Sequence, residues 1–231
     1  MNIATILTAG NSTRTKPVNK IFYQIKRKPL IYYTLLAFEK NPEIQKIILV
    51  AKKSDFKIFL SLAKRFNFRK IGKIVEGGKE RQDSCFNGLK AAGKLGAKKN
   101  DLILFHNGSN PLVSQKEIKK VIEAAKEYGA ALVAHKVKDT IKEADENGFV
   151  LETIPRERIY LAQTPQTIKY GLAREAFEKA YQDKFYGTDD ISLVERMGKP
   201  IKIVPAAFQN IKVTYPEDFK FVEAYIRKYY E

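Results

Sequence analysis

The sequence predicts an α/β fold in which helices cover both faces of a parallel β-sheet. The main observation is that short, β-branched apolar segments alternate with amphipathic segments from Ile3 to Val137. A second is size, because 231 residues with 44% apolar content can bury one large core. A third is the low number of Gly and Pro residues, 13 and 9, which excludes collagen-like and low-complexity chains.

The elements of the first part follow one another in a regular order. The predicted strands are Ile3 to Leu7, Lys46 to Ala51, Lys70 to Val75, Asp101 to Phe105 and Ala130 to Val137. The predicted helices are Pro29 to Phe38, Asp55 to Phe66, Arg81 to Leu95 and Gln115 to Tyr128. This alternation is typical of βαβ units, which place parallel strands side by side. Ligands of such sheets bind beyond the carboxyl ends of the strands, so we expect the functional site there.

The pattern changes after Lys136 and becomes polar and alternating as far as Ile159. Two short alternating runs flank Glu146-Asn147-Gly148, which predicts a β-hairpin that projects from the sheet. An isolated hairpin is marginally stable in water, so a second copy of the chain is the simplest partner for it. The predicted organisation is one domain over residues 1–231, with residues 137–159 as a dimerisation arm. Further along, the patterns predict helices at Lys169 to Gln182 and Pro216 to Tyr230 and a strand at Pro200 to Val204.

Several classes of protein are excluded by composition. The longest apolar runs, such as Ile47 to Ala51, are far shorter than the roughly 18 residues of a membrane span. Met1 opens directly into a strand pattern without a signal sequence, so we expect a cytoplasmic protein that does not bind membranes. One cysteine, Cys85, cannot form an internal disulfide, and two histidines are too few for a Cys/His zinc site.

The net charge of +16 lies entirely in the first half of the chain. Residues 1–100 contain 22 Lys and Arg against 6 Asp and Glu, whereas the remaining residues contain 20 of each kind. This imbalance favours a polyanionic partner, either a nucleic acid or a triphosphate. For most of these lysines, a lysine-rich solvated surface is the favoured interpretation.

The loop after the first strand is the first candidate site. It reads Leu7-Thr8-Ala9-Gly10-Asn11-Ser12-Thr13-Arg14, and Lys20 follows six residues later. Small side chains allow backbone N–H groups to approach a phosphate, and the two cations can neutralise it. The loop lacks the Gly-Lys-Ser/Thr of a P-loop, and taken alone it is equally consistent with an ordinary strand-to-loop turn.

A second candidate is the segment Gly77-Gly78-Lys79-Glu80-Arg81-Gln82-Asp83-Ser84. The Gly pair permits a tight backbone, and Ser84 in the first helical turn offers a hydroxyl near a helix N-terminus. A loop that merely caps the following helix is the alternative.

Four residues near later strand ends allow more than one interpretation. His106 is more typical of a hydrogen-bonded structural histidine than of a base. Asp189 and Asp190 are candidates for a metal or base pair, although Thr-Asp-Asp before Ile191 also favours a helix start. Lys212 lies between two apolar residues and, on a strand, would point opposite to them, toward a cleft or solvent.

Taken together, these segments resemble one family, the 2-C-methyl-D-erythritol 4-phosphate cytidylyltransferases, over nearly the whole chain. The matching motifs are Ala9-Gly10, Arg14, Lys20, Gly77-Gly78, Arg81-x-x-Ser84, His106, Pro111, Asp139-Thr140, Gln163-Thr164-Pro165-Gln166, Thr188-Asp189-Asp190 and Asn210-Ile211-Lys212-Val213-Thr214-x-Pro216-x-Asp218. The related ribitol-5-phosphate cytidylyltransferases share most of them and remain the nearest alternative.

The resemblance implies a Rossmann-like nucleotidyltransferase fold with a mostly parallel twisted sheet and a projecting β-hairpin arm. It implies an enzyme that joins CTP to a polyol phosphate and releases pyrophosphate, with Mg²⁺ bound mainly through the CTP phosphates. The implied partners are those two substrates and a second subunit, with no nucleic acid. The residues implied to bind CTP are Ala9, Gly10, Gly78 and Ser84, and those implied to be catalytic are Arg14, Lys20 and Lys212. The residues implied to contact the polyol phosphate are Asn107, Asn110, Thr140, Arg156, Thr164 and Thr188, of which Thr140 and Arg156 would come from the other subunit.

The loop after the strand Asp101 to Phe105 departs from the family. It reads His106-Asn107-Gly108-Ser109-Asn110-Pro111, where the family typically has Asp and Arg at the positions of the two Asn residues. This departure motivates one further hypothesis, a regulatory relative that binds CTP without turnover. A nucleic-acid-binding protein is the alternative from another class, but the basic half lacks a recognised binding motif.

Overall fold

A computed structural model describes residues 1–15 and 18–230 of the chain. Its centre is a seven-stranded sheet in the order β11-β7-β10-β6-β1-β4-β5. The strands of this sheet are β1 (Asn2–Leu7), β4 (Lys46–Ala51), β5 (Ile71–Glu76), β6 (Leu102–Asn107), β7 (Ala130–Lys136), β10 (Tyr160–Lys169) and β11 (Lys202–Pro205). Two short strands, β2 (Gln24–Ile25) and β3 (Lys28–Pro29), pair with each other, as do β8 (Ile141–Ala144) and β9 (Val150–Ile154).

Most of the central strands run in one direction, which confirms the predicted α/β class. Strand β1 pairs in parallel with both β4 and β6, β4 pairs in parallel with β5, and β11 pairs in parallel with β7. Strand β10 lies between β6 and β7 and is antiparallel to both. The sheet is therefore mixed, with one reversed strand.

Helices cover both faces of the sheet, as the sequence predicts. The helices are α1 (Leu30–Glu39), α2 (Phe56–Arg65), α3 (Arg81–Lys94), α4 (Gln115–Tyr128), α5 (Tyr170–Gln182), α6 (Ser192–Glu195) and α7 (Pro216–Tyr229). Apolar residues of α1, α2 and α4 pack on one face, and those of α3, α5 and α6 on the other. Successive β4 residues contribute to opposite cores, because side chains of a strand alternate between the faces: Ile47 and Leu49 lie in one core and Ile48 and Val50 in the other.

Local sequence signals account for where the helices begin and end. At the start of α4, Ser114 Oγ accepts a hydrogen bond from the Glu117 backbone N–H, and the Glu117 carboxylate accepts one from Ser114 N–H in return. The same helix ends at Gly129, whose φ of 92° lies in the left-handed region that glycine tolerates best.

A third apolar cluster fixes the C-terminal segment against the rest of the molecule. Helix α7 buries Phe219, Val222 and Ile226 together with Leu30 of α1 and with Val213. This packing anchors the segment before α7 and so determines where Lys212 lies.

The polar segment after β7 forms the predicted hairpin. Strands β8 and β9 pair antiparallel, and Asp145 Oδ1 accepts hydrogen bonds from the backbone N–H groups of Asn147 and Phe149 in the turn between them. In the part of the chain that the structure describes, these two strands make a sheet of their own, separate from the central one. Residues 137–159 are called the arm below.

Three strands and one placement differ from the sequence-based expectations, because β2 and β3 were not predicted either. No strand was predicted at 160–169, where Pro165 interrupts the apolar run and removes a backbone donor. The pairing of β10 with β7 tolerates this proline because it is itself interrupted between Ala162 and Gln166. Lys212 lies outside any strand. The alternation of side chains along a strand, from which a position facing a cleft or solvent was predicted, therefore does not apply to it.

No helix among residues 1–15 and 18–230 is long and apolar enough to cross a membrane.

Candidate active site

A cavity of about 560 Å³ opens at the carboxyl ends of β1 and β6, the edge of the sheet where the site was expected. Its walls come from the loop after β1, the segment that leads into α3, the end of β6 and the segment before α7. The predicted site residues that line it are Ala9, Gly10, Arg14, Lys20, Gly78, Ser84, Asn107 and Lys212. The fold thus brings together residues that are up to about two hundred positions apart in sequence.

One wall of the cavity is built from small residues and backbone. The Gly78 backbone N–H donates a hydrogen bond of 3.0 Å to Ser84 Oγ, which ties the loop to the first turn of α3. Neither glycine of the pair has room for a side chain: a Cβ on Gly77 would lie 2.4 Å from Ala9 Cβ, and one on Gly78 would lie 2.1 Å from Asp83 Cβ. This wall can therefore present backbone groups to a flat ligand such as a nucleobase.

The predicted cations Arg14, Lys20 and Lys212 also line the cavity. Lys20 lies in a short 3₁₀ turn, and its Nζ donates a hydrogen bond of 3.2 Å to the carbonyl oxygen of Val213. Arg14 extends over the ring of Tyr215, with its guanidinium carbon 5.5 Å from the ring centroid. Val213 N–H donates to Ser109 O at 2.8 Å, so the segment that carries Lys212 is tied to the loop after β6.

Burial, together with the neighbouring cations, lowers the pKa of two lysines. Burial is the main cause for Lys20, and repulsion from Arg14 adds to it, whereas Asp218 acts in the opposite direction. For Lys212, desolvation is again the main cause, followed by repulsion from Arg81, Lys20 and Arg14. A ligand with several negative charges would relieve this repulsion.

Arg81 is a cavity residue for which no role was predicted. Its Nη1 donates to Asn107 Oδ1 and its Nη2 to Asp190 Oδ2, both at 2.6 Å. The side chain of Asp190 is only 1% exposed, whereas that of Arg81 is 32% exposed, so the carboxylate is buried and the arginine remains accessible from the cavity. The arginine of the Arg81-x-x-Ser84 motif was the signal in the sequence, but only the fold shows which partners it has.

Two of the residues expected to contact substrate lie behind the cavity lining. Asn110 is fully buried and accepts a hydrogen bond of 3.2 Å from Asn107 Nδ2. Its own Nδ2 donates to Gln163 and Asn210. Thr164 is 3% exposed, and its Oγ1 accepts a hydrogen bond from the backbone N–H of Asn107 at 3.3 Å. Both residues support Asn107 and do not face the cavity.

His106 is a structural residue, as the sequence favoured. It is fully buried, its Nε2 lies 3.0 Å from the carbonyl oxygen of Asn110, and burial lowers its pKa to about 4. Its other nitrogen, Nδ1, has no hydrogen-bond partner among the described residues.

The two adjacent aspartates have separate structural roles. Asp189 Oδ1 accepts a hydrogen bond of 2.9 Å from the backbone N–H of Ser192, which supports the interpretation of a helix start. Asp190 pairs with Arg81. Among residues 1–15 and 18–230, no three His, Cys, Asp or Glu side chains cluster as metal ligands would, so these aspartates do not form part of such a group.

Three predicted residues lie outside the cavity of the single chain. Thr140 and Arg156 belong to the arm and are exposed, and the Arg156 guanidinium donates to the carbonyl oxygen of Lys138. Thr188 is exposed in the turn that precedes α6. A second subunit could bring the arm residues to a cavity, but one chain alone does not.

Comparisons with known proteins agree with the geometry. The family model described as 2-C-methyl-D-erythritol 4-phosphate cytidylyltransferase matches residues 2–228. Two proteins of that name are similar to the chain. The one from Syntrophus aciditrophicus is 40% identical over 98% of this chain and 96% of the relative. The one from Caldanaerobacter subterraneus subsp. tengcongensis is 41% identical over 99% of this chain and 100% of the relative.

Solved structures show the same similarity. The 4-diphosphocytidyl-2C-methyl-D-erythritol synthase of Anaerococcus prevotii superimposes with a TM-score of 0.84 at 31% identity, covering 98% of this chain and 96% of that one. The 2-C-methyl-D-erythritol 4-phosphate cytidylyltransferase of Thermus thermophilus gives a TM-score of 0.79 at 28% identity, covering 98% and 100% respectively. The similarity therefore extends over the whole architecture, including the arm.

Proposed function

The chain belongs to the 2-C-methyl-D-erythritol 4-phosphate cytidylyltransferase family, and we propose that the cavity described above is where it carries out that reaction. A phosphate oxygen of 2-C-methyl-D-erythritol 4-phosphate attacks the α-phosphorus of CTP. The bond between the α-phosphorus and the bridging oxygen breaks, and pyrophosphate leaves. The product is 4-diphosphocytidyl-2-C-methyl-D-erythritol.

One observation supports this function above the others, namely the charge of the cavity. Among residues 1–15 and 18–230, five cationic side chains line it, against a single carboxylate, Glu80. Attack of one phosphate on another brings two anions together, so catalysis depends on positioning and on neutralising charge. No nucleophilic side chain is required for an in-line transfer of this kind, and a cationic cavity suffices.

The positions of the lining residues support a proposed role for each. Ala9, Gly10, Gly78 and Ser84 bind the cytosine and ribose, because their wall presents backbone groups and one hydroxyl. Arg14 and Lys20 bind the phosphates of CTP, and Lys20 stabilises the charge that moves to the leaving pyrophosphate. Lys212 contacts the α-phosphate and the incoming phosphate.

Magnesium enters this proposal through CTP and not through a site built by the protein. When bound to a triphosphate, Mg²⁺ neutralises charge on its oxygens. In the described residues the only carboxylate of the cavity lining is Glu80, and the Asn107 side-chain oxygen is already bonded to Arg81. These residues do not amount to an Mg²⁺ site, which normally needs several oxygen ligands.

The arm supports the proposal of a homodimer. Three consecutive apolar residues at its tip, Phe149, Val150 and Leu151, are 72%, 61% and 62% exposed. A two-stranded hairpin with an exposed apolar tip is stabilised by packing against another surface. We propose that the arm crosses to a second subunit, where Thr140 and Arg156 contact the polyol phosphate of the partner site, and that Thr188 contacts the polyol.

Pyrophosphate release tests the reaction directly. The purified protein is incubated with CTP, Mg²⁺ and either 2-C-methyl-D-erythritol 4-phosphate or ribitol 5-phosphate. We expect turnover with the first acceptor and much slower turnover with the second. Turnover only with ribitol 5-phosphate would identify the enzyme as a ribitol-5-phosphate cytidylyltransferase. CTP binding without turnover of either acceptor would favour the hypothesis of a regulatory relative. A cytoplasmic location stays a prediction.

Mixing two inactive variants tests the arm. In a heterodimer of Lys20→Ala and Arg156→Ala subunits, one site contains both wild-type residues, so equal mixing should restore about one quarter of the wild-type activity after subunits exchange. A fully active monomer in light scattering at assay concentration would contradict the shared site.

Lys20→Ala alone should lower kcat by about 100-fold while weakening CTP binding less than about tenfold.

A further inference from the structure

The cavity contains more positive charge than its described walls compensate. Arg14, Lys20, Lys79, Arg81 and Lys212 line it, and Glu80 is the only lining carboxylate in the part of the chain that the structure describes. Asp190, which pairs with Arg81, compensates one of these charges from outside the lining. Burial is the main cause of the lowered pKa of Lys212, and repulsion from Arg81, Lys20 and Arg14 adds to it. An excess of cations at one place favours binding of a multivalent anion.

Arg81 is the most firmly held of these cations. It forms two hydrogen bonds of 2.6 Å, one to Asp190 and one to Asn107. Asp190 is itself fixed, because its backbone N–H and that of Ile191 both donate to Gln166 Oε1, at 3.0 and 3.1 Å. The guanidinium group is therefore held in place before any ligand binds, and little conformational entropy is lost when it contacts one.

The contact with Arg81 also determines which way the Asn107 amide faces. A guanidinium group has only donors, so the amide oxygen must point toward it. Asn107 Nδ2 donates to Asn110 Oδ1 at 3.2 Å, which agrees with that orientation. One N–H of Asn107 remains, and Asn107 lines the cavity. This position therefore offers a neutral donor to a ligand, and its one oxygen is no longer free to bind a cation.

We propose that Arg81 and Asn107 form a phosphate-binding element that allows this cavity to bind the CTP triphosphate before any divalent cation is present. The inference deepens the proposed function and rests on it. Arg81 supplies a guanidinium group that its ion pair with Asp190 holds in place, and Asn107 supplies an oriented N–H. With a carboxylate in place of the Asn107 amide, the same position would repel a metal-free triphosphate and would need a cation between them.

Calorimetric titration of CTP, with EDTA or with excess Mg²⁺, tests the element without measuring activity. We expect the wild type to bind CTP in EDTA with a Kd within about tenfold of the value in Mg²⁺. Asn107→Asp has the same shape and keeps a partner in Arg81, so it should fold. It should weaken binding in EDTA by at least about tenfold, because a like charge then faces the phosphates, and should weaken it much less in Mg²⁺.

A second pair of substitutions tests Arg81 without leaving a buried charge unpaired. The double variant Arg81→Gln with Asp190→Asn replaces the ion pair by two neutral amides, and it should weaken CTP binding in EDTA by at least about tenfold. The matched control is Arg196→Gln with Asp183→Asn, because Arg196 and Asp183 also pair at 2.6 Å but lie outside the cavity lining. The control should change the Kd less than about twofold.

Three results would overturn the proposal: no binding of CTP by the wild type in EDTA, equal losses for Asn107→Asp in both conditions, or equal Kd values for the two double variants. Melting temperatures establish that each variant is folded. The outcome is independent of turnover. If the variants show these binding differences but the wild type makes no product, the proposed function is refuted and the binding element stands. If the enzyme is active but binds CTP only in the presence of Mg²⁺, the proposed function stands and the binding element is refuted.

Discussion

The pH dependence of stability distinguishes a structural His106 from a catalytic base. In the folded chain His106 is fully buried and has a pKa of about 4, whereas an unfolded histidine has a pKa of about 6.5. Protonation would place a charge in the core and add an N–H at Nδ1, which has no acceptor among the described residues. The unfolded chain therefore takes up the proton first as the pH falls.

The size of the effect follows from the two pKa values. Each pKa unit corresponds to about 1.4 kcal/mol, so the full difference is about 3 kcal/mol. The stabilisation is present above pH 6.5 and is lost progressively as the pH falls from about 6.5 to about 4. Between pH 8 and pH 5 the linkage relation gives a loss of about 2 kcal/mol from this one residue.

Urea unfolding at pH 8 and pH 5 measures this loss. The variant His106→Gln keeps a donor for the Asn110 carbonyl but cannot be protonated, so it should lose about 2 kcal/mol less than the wild type between the two pH values. His135→Gln is the control and should behave like the wild type. If His106→Gln and the wild type lose the same free energy, the burial argument is wrong. If the variant folds but loses all turnover, His106 has a chemical role.

Two further predictions concern the cavity itself. Gly78→Ala should weaken CTP binding by at least about tenfold, because its Cβ would lie 2.1 Å from Asp83 Cβ and displace the loop. Gly72→Ala, whose Cβ has its nearest contacts at 3.4 Å, is the control. Equal Kd values for CTP in the two variants would contradict this prediction. CTP binding should take up protons and weaken as the pH rises toward 10.5, because the lowered pKa values of Lys20 and Lys212 rise again when phosphates bind. Calorimetry in two buffers of different ionisation enthalpy measures the uptake, and identical heats in both would refute it.

The fold was largely predictable because its signals are local. Alternating apolar runs and amphipathic stretches depend only on neighbouring residues, so the strands at Lys46–Ala51 and Ala130–Lys136 were placed to within about one residue. Strand β10 was missed because Pro165 argues against a central strand, and only the interrupted pairing with β7 shows how the sheet accommodates it. That interruption is a property of two distant segments, which no local pattern contains.

The site was predictable to the extent that it depends on strand ends. Loops that follow parallel strands meet at one edge of the sheet, so Ala9, Gly78 and Asn107 were expected to converge, and they do. The sequence could not reveal that Asn110 is buried behind Asn107, nor that Arg81 bonds to Asp190, 109 residues away. Contacts of that kind depend on how helices and turns pack, which periodicity does not specify.

The burial of Asn110 leads to a last prediction about the two amides that depart from the family. Asn110 is fully buried and is bonded to Asn107, Gln163 and Asn210, so Asn110→Arg alone places an unpaired cation among neutral amides. Asn107→Asp alone is milder, because Arg81 already faces that side chain. In the double variant the new carboxylate and the new guanidinium are adjacent.

The double variant should therefore be more stable than the sum of the single effects predicts, with a coupling free energy of about 1–3 kcal/mol. Urea unfolding of the wild type, both single variants and the double variant measures this coupling. Asn110→Arg is the reference that must be the least stable of the four. Additive effects would show that positions 107 and 110 contribute independently to stability. They would refute the view that an Asp–Arg pair and an Asn–Asn pair are alternative ways to form the contact between these two positions.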